Sequence, residues 1–273
     1  MWYLNRLIAG ALELGLAPFR ALPPAVGLAG VSAVAAAATL LVFRATSDQP
    51  AIARTKRRIQ ASILEIRLFN EQPRLVLAAQ ADVLRQSLQY FRLTLVPLLW
   101  LALPLLLLMT HLQAYYGYRQ LAVGESTILS ATLADVGALA ERLHLETDGG
   151  ARVETPLLVI PAEREVDWRI AAVRPGDHQL QFHIGDQVVT KMLQVAGPPR
   201  SLSSRRPGRG ILDQILFPSE PPLPRSSKVV AIGVRYPPAE VSLLGWDMHW
   251  LIAFFILTLV AALALRRPLR VTF

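Results

Sequence analysis

The sequence predicts a membrane α-helical protein, with three transmembrane helices and a cytoplasmic helical hairpin, into which an all-β immunoglobulin-like sandwich is inserted. Three observations predict this fold class. Hydrophobic residues make up 53% of the 273-residue chain, which is more than a soluble domain usually contains. Positive charge is concentrated beside long apolar stretches. The segment between the last two of these stretches has the two-residue period of β-strands.

Three apolar stretches are long enough to cross a bilayer. They comprise residues 23–43, 93–112 and 243–265, and none has a charged residue in its middle part. A hydrocarbon core of about 30 Å requires about 20 helical residues, so we expect three transmembrane helices. The lack of an ionisable group inside them argues against an ion-coupled transporter.

The distribution of Lys and Arg predicts the orientation of these helices. Residues 44–92 hold nine Lys and Arg against four Asp and Glu, and residues 266–273 hold three Arg and no acidic residue. Positively charged flanks stay in the cytoplasm, so we expect the hairpin and the C-terminal tail there, with the N-terminus outside. Aromatic residues typical of the membrane interface mark the outer side: Tyr115, Tyr116, Tyr118, Trp246 and Trp250.

Residues 1–20 are predicted to form an amphipathic helix that lies on the outer surface of the membrane. Apolar side chains recur there at helical spacing, at Leu4, Ile8 and Leu12. Glu13 interrupts the apolar run, as expected for a helix that lies in the interface rather than crossing it. The alternative is a hydrophobic leader to the first span.

Residues 44–92 have the pattern of two helices that pack as an antiparallel hairpin. The first carries an isoleucine stripe, and Pro73 suits the first turn of the second. We expect the two stripes to bury each other, because neither helix can bury its stripe alone. The second stripe continues into the second span, which predicts a rigid arm, and it consists of Leu77, Ala81, Leu84, Leu88, Phe91 and Leu95.

Cationic residues on the first hairpin helix are candidates for docking. One interpretation is a solvated face that acts as a topology signal beside phosphate-rich lipid headgroups. The other is a docking site for a polyanionic partner such as ribosomal RNA, or for an emerging polypeptide. Both remain open for this set of residues: Arg54, Lys56, Arg57, Arg58 and Arg67.

Residues 117–240 are predicted to form the β-sandwich. Apolar and polar residues alternate there in about seven short runs separated by turn residues, and Trp168 is expected in the core. Residues 196–227 interrupt the pattern as a long loop rich in Pro, Ser, Gly and Arg. Within it, residues 210–217 have the spacing of a short amphipathic helix. We expect this helix to pack on its own domain, with the bilayer or a partner as alternatives.

The sequence contains no catalytic or cofactor-binding motif. Nucleophile-elbow, P-loop, dinucleotide-binding and zinc-protease patterns are absent, and without cysteine the chain has no disulfide or thiolate ligand. His178 and His183 differ by an odd number along a strand, so they do not suggest a shared metal. We therefore expect no enzyme activity, cofactor or metal. The basic charge reflects topology, so DNA binding is not expected either.

The predicted elements follow one another in this order: a span, an Arg-rich hairpin, a second span, an outer segment and a third span. The spans and the hairpin comprise residues 23–112 and 243–270. The most informative part is residues 54–92, with the stretches Ile63-Leu64-Glu65-Ile66-Arg67-Leu68-Phe69 and Ala79-Gln80-Ala81. This order resembles the YidC-type membrane insertase superfamily. It is most similar to three-span members, such as bacterial and archaeal YidC-like proteins and the third subunit of the endoplasmic-reticulum membrane complex.

The resemblance implies a hydrophilic groove, open to the cytoplasm and the lipid, that lets polar parts of a client cross partway while its apolar helix slides into the bilayer. Many members have an arginine within the first core span, whereas the nearest here is Arg44, at the cytoplasmic boundary. The sandwich of the bacterial insertases precedes the core, but here the β-domain is inserted in it. The candidates for groove and client contacts are Ser32, Thr39, Arg44, Arg92 and Thr94.

Two functions are compatible with this sequence. The first is a membrane-protein biogenesis factor, insertase-like or an intramembrane chaperone, whose partners are membrane lipids, nascent membrane proteins and the ribosome. The second is a membrane-anchored structural or adaptor protein whose outer sandwich binds an envelope partner. Both imply an integral protein of the bacterial cytoplasmic membrane, with the N-terminus and the β-domain outside.

Overall fold

Seven α-helices and eleven β-strands are formed within residues 2–19, 22–69, 71–139 and 143–269, which are the residues that the computed structural model describes. The chain divides into two units. One comprises residues 1–27 and 107–253, and the other comprises residues 28–106 and 254–273. The predicted combination of helices with a β-sheet region is confirmed.

Three long helices follow one another with short turns. They are α2 (Pro24–Thr46), α3 (Gln49–Leu68) and α4 (Pro73–Tyr116). The carboxylate of Asp48 caps α3 by accepting the backbone N–H of Ala51 at 2.9 Å, which satisfies one of the free donors of the first turn. Two helices are therefore present where the sequence predicts the hairpin.

Helix α4 contains both the second hairpin helix and the second apolar stretch. It has 44 residues and is about 66 Å long at 1.5 Å per residue. Pro97 and Pro104 lie inside it, where each removes one backbone hydrogen bond. The predicted continuity of the arm with the apolar stretch is confirmed.

Helices α2 and α4 are long and apolar enough to cross a membrane, judged by length and composition. The third apolar helix, α7 (Trp250–Leu265), has 16 residues. It is shorter than the about 20 residues that a hydrocarbon core requires.

The third apolar stretch, predicted to be a span from residue 243, becomes helical only at Trp250. Strands β10 (Glu240–Leu243) and β11 (Trp246–His249) form an antiparallel hairpin at its start. Leu244 and Gly245 between them have φ values of 55° and 85°, the left-handed geometry that a two-residue hairpin turn requires. The backbone N–H and C=O groups of residues 240–249 therefore form strand hydrogen bonds, and the helix begins after them.

The other strands form two antiparallel sheets. Their bounds are β1 (Ser126–Leu133), β2 (Leu143–Thr147), β3 (Ala151–Val153), β4 (Leu158–Ile160), β5 (Glu165–Ala172), β6 (Gly176–Ile184), β7 (Gln187–Val195), β8 (Arg205–Arg206) and β9 (Val229–Val234). One sheet has the order β3-β5-β1-β9-β8, with β4 also paired to β5, and the other has the order β2-β6-β7.

Both sheets contribute to one hydrophobic core. Trp168 of β5 is buried, as predicted, and its ring meets that of Phe182 of β6 edge to face at 5.6 Å between centroids. The strand order differs from the predicted immunoglobulin type, in which the first strand pairs with the second. Here β1 pairs with β5 and β9, and β2 pairs with β6. Alternation within a strand identifies its inner face but not its neighbours, because pairing depends on distant parts of the chain.

Three further helices belong to the unit that contains the sandwich: α1 (Trp2–Leu16), α5 (Val136–Leu139) and α6 (Ile211–Leu216). The predicted interfacial helix corresponds to α1 with a 3₁₀ turn that ends at Phe19. Residues 1 and 20 of that prediction, and residues 270–273 of the predicted basic tail, lie outside the described residues.

Candidate functional site

Two of the predicted groove residues share a face of α2. Ser32 and Thr39 are seven residues apart, so their side chains lie on the same side of the helix. Ser32 is buried, and its hydroxyl has no hydrogen-bond partner among the described residues, whereas Thr39 is half-buried. A buried hydroxyl without a partner costs about 1–3 kcal/mol. Ser32 therefore marks a place where a further polar group would stabilise the protein.

The other three groove candidates do not supply a buried charge. The hydroxyl of Thr94 donates to the carbonyl of Tyr90 at 3.0 Å, within its own helix. Arg44 is exposed, and its Nη1 donates to the carbonyl of Leu269 at 3.1 Å, beyond the end of α7. Arg92 is also exposed. Neither arginine provides the charge within the first span that many insertases have.

The apolar stripe of α4 points outward, so the prediction that it is buried in the hairpin is wrong. Leu77, Leu84, Leu88 and Phe91 are 65%, 73%, 62% and 58% exposed. The buried side of this part of α4 instead contains Ala79, because a small side chain lets another element approach closely. We call the four exposed side chains the leucine stripe.

The isoleucine stripe of α3 is only partly buried. Ile52 is fully covered, Ile59 and Ile66 are half-buried, and Ile63 is exposed. Thr55 is buried beside this stripe, and its hydroxyl donates to a carbonyl one turn earlier in α3, at 2.9 Å. The burial of α3 is therefore concentrated towards its N-terminal half.

All five predicted docking cations are exposed on α3. Arg54, Arg57 and Arg58 have the spacing that places side chains on one face. Lys56 and Arg67, eleven residues apart, share a second face. These two cationic faces flank the buried face of α3, so the arm presents positive charge on both sides.

A cavity of about 450 Å³ lies where the ends of α1 and α4, the start of α2 and the sandwich meet. All of its wall belongs to one unit, and its volume is in the range of small-molecule sites. Leu16 and Leu121 line it and are buried, and Phe19 also contributes to the wall. A Cβ at Gly27 would lie 2.8 Å from the hydroxyl oxygen of Tyr116, so a larger residue there would displace the tyrosine side chain. We call this space the junction cavity.

A buried ion pair connects the long loop to the sandwich. Lys191 of β7 is fully buried, and its Nζ lies 2.9 Å from a carboxylate oxygen of Glu220 and donates to the carbonyl of Ser203 at 2.6 Å. Glu220 also accepts the Ser203 hydroxyl at 2.7 Å and the Met192 N–H at 2.8 Å. Burial lowers the pKa of Lys191, and the charge of Glu220 opposes this shift.

The same cluster brings a lysine within 3.1 Å of a serine hydroxyl, a proximity that some nucleophilic enzymes use. Ser203 is buried, however, and its hydroxyl already donates to Glu220. We therefore interpret the cluster as structural. The sequence contains one signal of this cluster. Lys191 follows the same alternation as Val189 and Leu193 along β7, so it lies on the side of the strand that faces the core.

The short helix predicted within residues 210–217 is present as α6. Its expected packing on its own domain is limited to Ile215, which is buried, while Ile211, Leu212 and Leu216 are 64%, 73% and 47% exposed. The helix therefore presents most of its apolar side chains to the outside.

Helix α1 lies against α6 and has exposed apolar side chains as well. Asn5 is buried and donates from Nδ2 to the carbonyl of Gln214 at 2.6 Å. His111 Nε2 lies 3.1 Å from the carbonyl oxygen of Asn5, which connects α1 to α4. Each of the two helices exposes apolar side chains, and we refer to these side chains together as the α1–α6 apolar face: Tyr3, Leu4, Leu7, Leu14, Ile211, Leu212 and Leu216.

No model of a known protein family matches this chain, and no curated protein is significantly similar to it.

Proposed function

We propose that this protein is a membrane-protein biogenesis factor, insertase-like or an intramembrane chaperone, that guides apolar segments of its clients along α4. The observation that carries the proposal is the leucine stripe, from Leu77 to Phe91, on a helix that continues without a break into an apolar stretch. A soluble arm has no reason to expose a row of large apolar side chains unless something covers them.

The proposed placement has α2, α4 and α7 crossing the bacterial cytoplasmic membrane. Helix α7 has 16 residues and is about 24 Å long, so its crossing requires local thinning of the bilayer. The hairpin and the C-terminus are cytoplasmic, and the N-terminus and the sandwich are outside. The charge distribution supports this placement, because the excess of Lys and Arg in residues 44–92 and 266–273 is the pattern of cytoplasmic flanks. Only about half of α4 is needed to cross the hydrocarbon core. The rest extends into the cytoplasm and carries the leucine stripe.

In the proposed mechanism, the leucine stripe is the surface along which an apolar helix of the client moves. Burying one Leu or Phe side chain stabilises a contact by about 1.5–3 kcal/mol, so a client helix can bind Leu84 and Leu88 and still leave for the bilayer. The cationic faces of α3 attract anionic lipid headgroups or ribosomal RNA near the same place. In α2, the hydroxyl of Ser32 is buried and unpaired among the described residues. It can bind a polar group of the client only when the side chains that cover it move apart, and this contact would lower the cost of placing that group in hydrocarbon.

Site-specific crosslinking tests this proposal, and the absence of cysteine makes single-cysteine variants convenient. Leu84→Cys and Leu88→Cys place the probe on the stripe, and Arg85→Cys is the matched control on an exposed neighbouring position of α4. We expect stalled nascent membrane proteins to crosslink to positions 84 and 88 much more than to position 85. Equal crosslinking yields at the three positions, or no crosslinks at any of them, would contradict binding of clients to the leucine stripe.

The second candidate function is a membrane-anchored adaptor whose sandwich binds an envelope partner. It is favoured by β4, a short strand that pairs only with β5 among the described residues and exposes Leu158 and Val159. An edge strand of this kind can bind an added strand from a partner. Specific crosslinks from Leu158→Cys to an envelope protein, with none from position 84, would favour the adaptor over the biogenesis factor.

A further inference from the structure

We propose that the junction cavity binds one acyl chain of a membrane phospholipid, whose zwitterionic headgroup lies at the cavity mouth. This assignment rests on the membrane placement proposed above and not on the client-guiding activity. The start of α2 and the end of α4, which contribute Gly27 and Tyr116 to the wall, are the ends that this placement puts at the outer surface. A lipid of the outer leaflet can therefore reach the cavity.

The chemistry of the wall favours an acyl chain over a peptide. Most of the wall is apolar, and its backbone groups already pair with one another: the Ala239 N–H donates to Gly117 and the Ala196 N–H donates to Leu121. The side chain of Gln120 donates to the Pro198 carbonyl at 3.0 Å. A peptide would bring N–H and C=O groups that need partners. An acyl chain brings none, and it gains from every methylene that it buries.

Among the described residues, the charged groups at the mouth favour a headgroup without net charge. Arg119 forms an ion pair with Glu125 at 2.8 Å, and Arg200 pairs with Asp177. Each guanidinium has five N–H groups, so both can still donate to a phosphate although their charge is already compensated. Glu240 also lines the cavity and is exposed, where it can accept from an ammonium group. Phosphatidylethanolamine provides both groups.

The test uses the full-length protein in vesicles of phosphatidylethanolamine and phosphatidylglycerol that contain a phosphatidylethanolamine with a photoactivatable diazirine in one acyl chain. Ala239→Trp and Ala122→Trp place an indole at the cavity wall, the second at an exposed position where folding is not at risk. Ala162→Trp is the matched control, exposed and outside the cavity lining. Labelled peptides are identified by mass spectrometry after irradiation.

We expect labelling of residues 115–122 and 196–202 in the unmodified protein and in the control. Both cavity variants should reduce it by about tenfold, because excluding even two methylenes has an effect of this size. Unchanged labelling in the cavity variants would overturn the assignment. So would displacement of the label by free fatty acid, which would indicate a fatty-acid site. Labelling of α2 and α4 without the cavity peptides would overturn the assignment but keep the membrane placement. If no part of the chain is labelled, both fail.

Discussion

At the scale of single residues, the pair of Lys191 and Glu220 shows how the long loop acquires a defined structure. Residues 196–227 have few strand or helix hydrogen bonds of their own, yet Ser203 and Glu220 are both buried. The ammonium group of Lys191 is bound by oxygen atoms of both. Arg206 adds a third connection, since its guanidinium donates to Thr190 of β7. The loop is therefore held by charge-assisted hydrogen bonds.

Removing one partner of this buried pair should lower the free energy of unfolding much more than removing one partner of a more exposed pair does. We expect Glu220→Gln to lower the free energy of unfolding by about 3–5 kcal/mol, because it leaves the buried charge of Lys191 without its counterion. The matched control is Glu125→Gln, which removes the half-buried partner of the exposed Arg119 and should cost about 0–1 kcal/mol. Urea denaturation followed by tryptophan fluorescence measures both. Similar losses in the two variants would show that the buried pair is not structural.

At the scale of elements, α4 shows what a helical stripe does and does not determine. The spacing of Leu77, Leu84 and Leu88 correctly places them on one face, because side chains three and four residues apart are neighbours on a helix. It does not determine whether that face is packed. Ala79, on another side, allows a closer approach, and the structure buries that side instead.

The α1–α6 apolar face is an element-scale feature that gives a prediction about lipid contact. We expect nitroxide labels at Leu7→Cys and Leu212→Cys to be accessible to oxygen dissolved in the bilayer, because interfacial helices bury their apolar side in the headgroup boundary. A label at Arg225→Cys, exposed in the same loop as α6, should be accessible to a water-soluble nickel complex instead. Electron paramagnetic resonance in vesicles measures both accessibilities. The same aqueous accessibility at positions 212 and 225 would rule out lipid contact of α6.

At the scale of the whole molecule, the net positive charge is concentrated in two segments of the chain. The excess of positive charge lies in residues 44–92 and 266–273, and residues 111–248 carry nearly equal numbers of both signs. This distribution has a simple explanation in a membrane protein, in which basic segments remain in the cytoplasm. It also separates a cationic arm from a β-domain with little net charge.

Cysteine labelling tests this orientation. We expect a membrane-impermeant maleimide to label Lys228→Cys in intact cells, because the proposed placement has the sandwich outside, and to label Arg58→Cys only after the membrane is permeabilised. Both positions are exposed. The unmodified protein has no cysteine and provides the background. Labelling of position 58 in intact cells would reverse the proposed topology.

The features that the sequence predicted correctly depend on local interactions. The spacing of apolar residues, the start of α4 at Pro73 and the continuity of α4 involve residues within a few turns of one another. In the sandwich, alternation located β1 and β5 to β7, and it placed Trp168 inside. In the predicted groove, the sequence identified polar side chains in apolar helices, but only Ser32 and Thr39 share a face that is at least half-buried.

The positions of the long helices and of several strands, the apolar stretches and the distribution of charge therefore follow from the sequence alone, because each is a property of neighbouring residues. Only the tertiary structure decided that β1 pairs with β9, that the leucine stripe is exposed and that Lys191 meets Glu220. The start of α7 at Trp250 belongs to the same group, since the preceding residues pair as β10 and β11. These features depend on contacts between distant residues, where the energy of packing outweighs local preference.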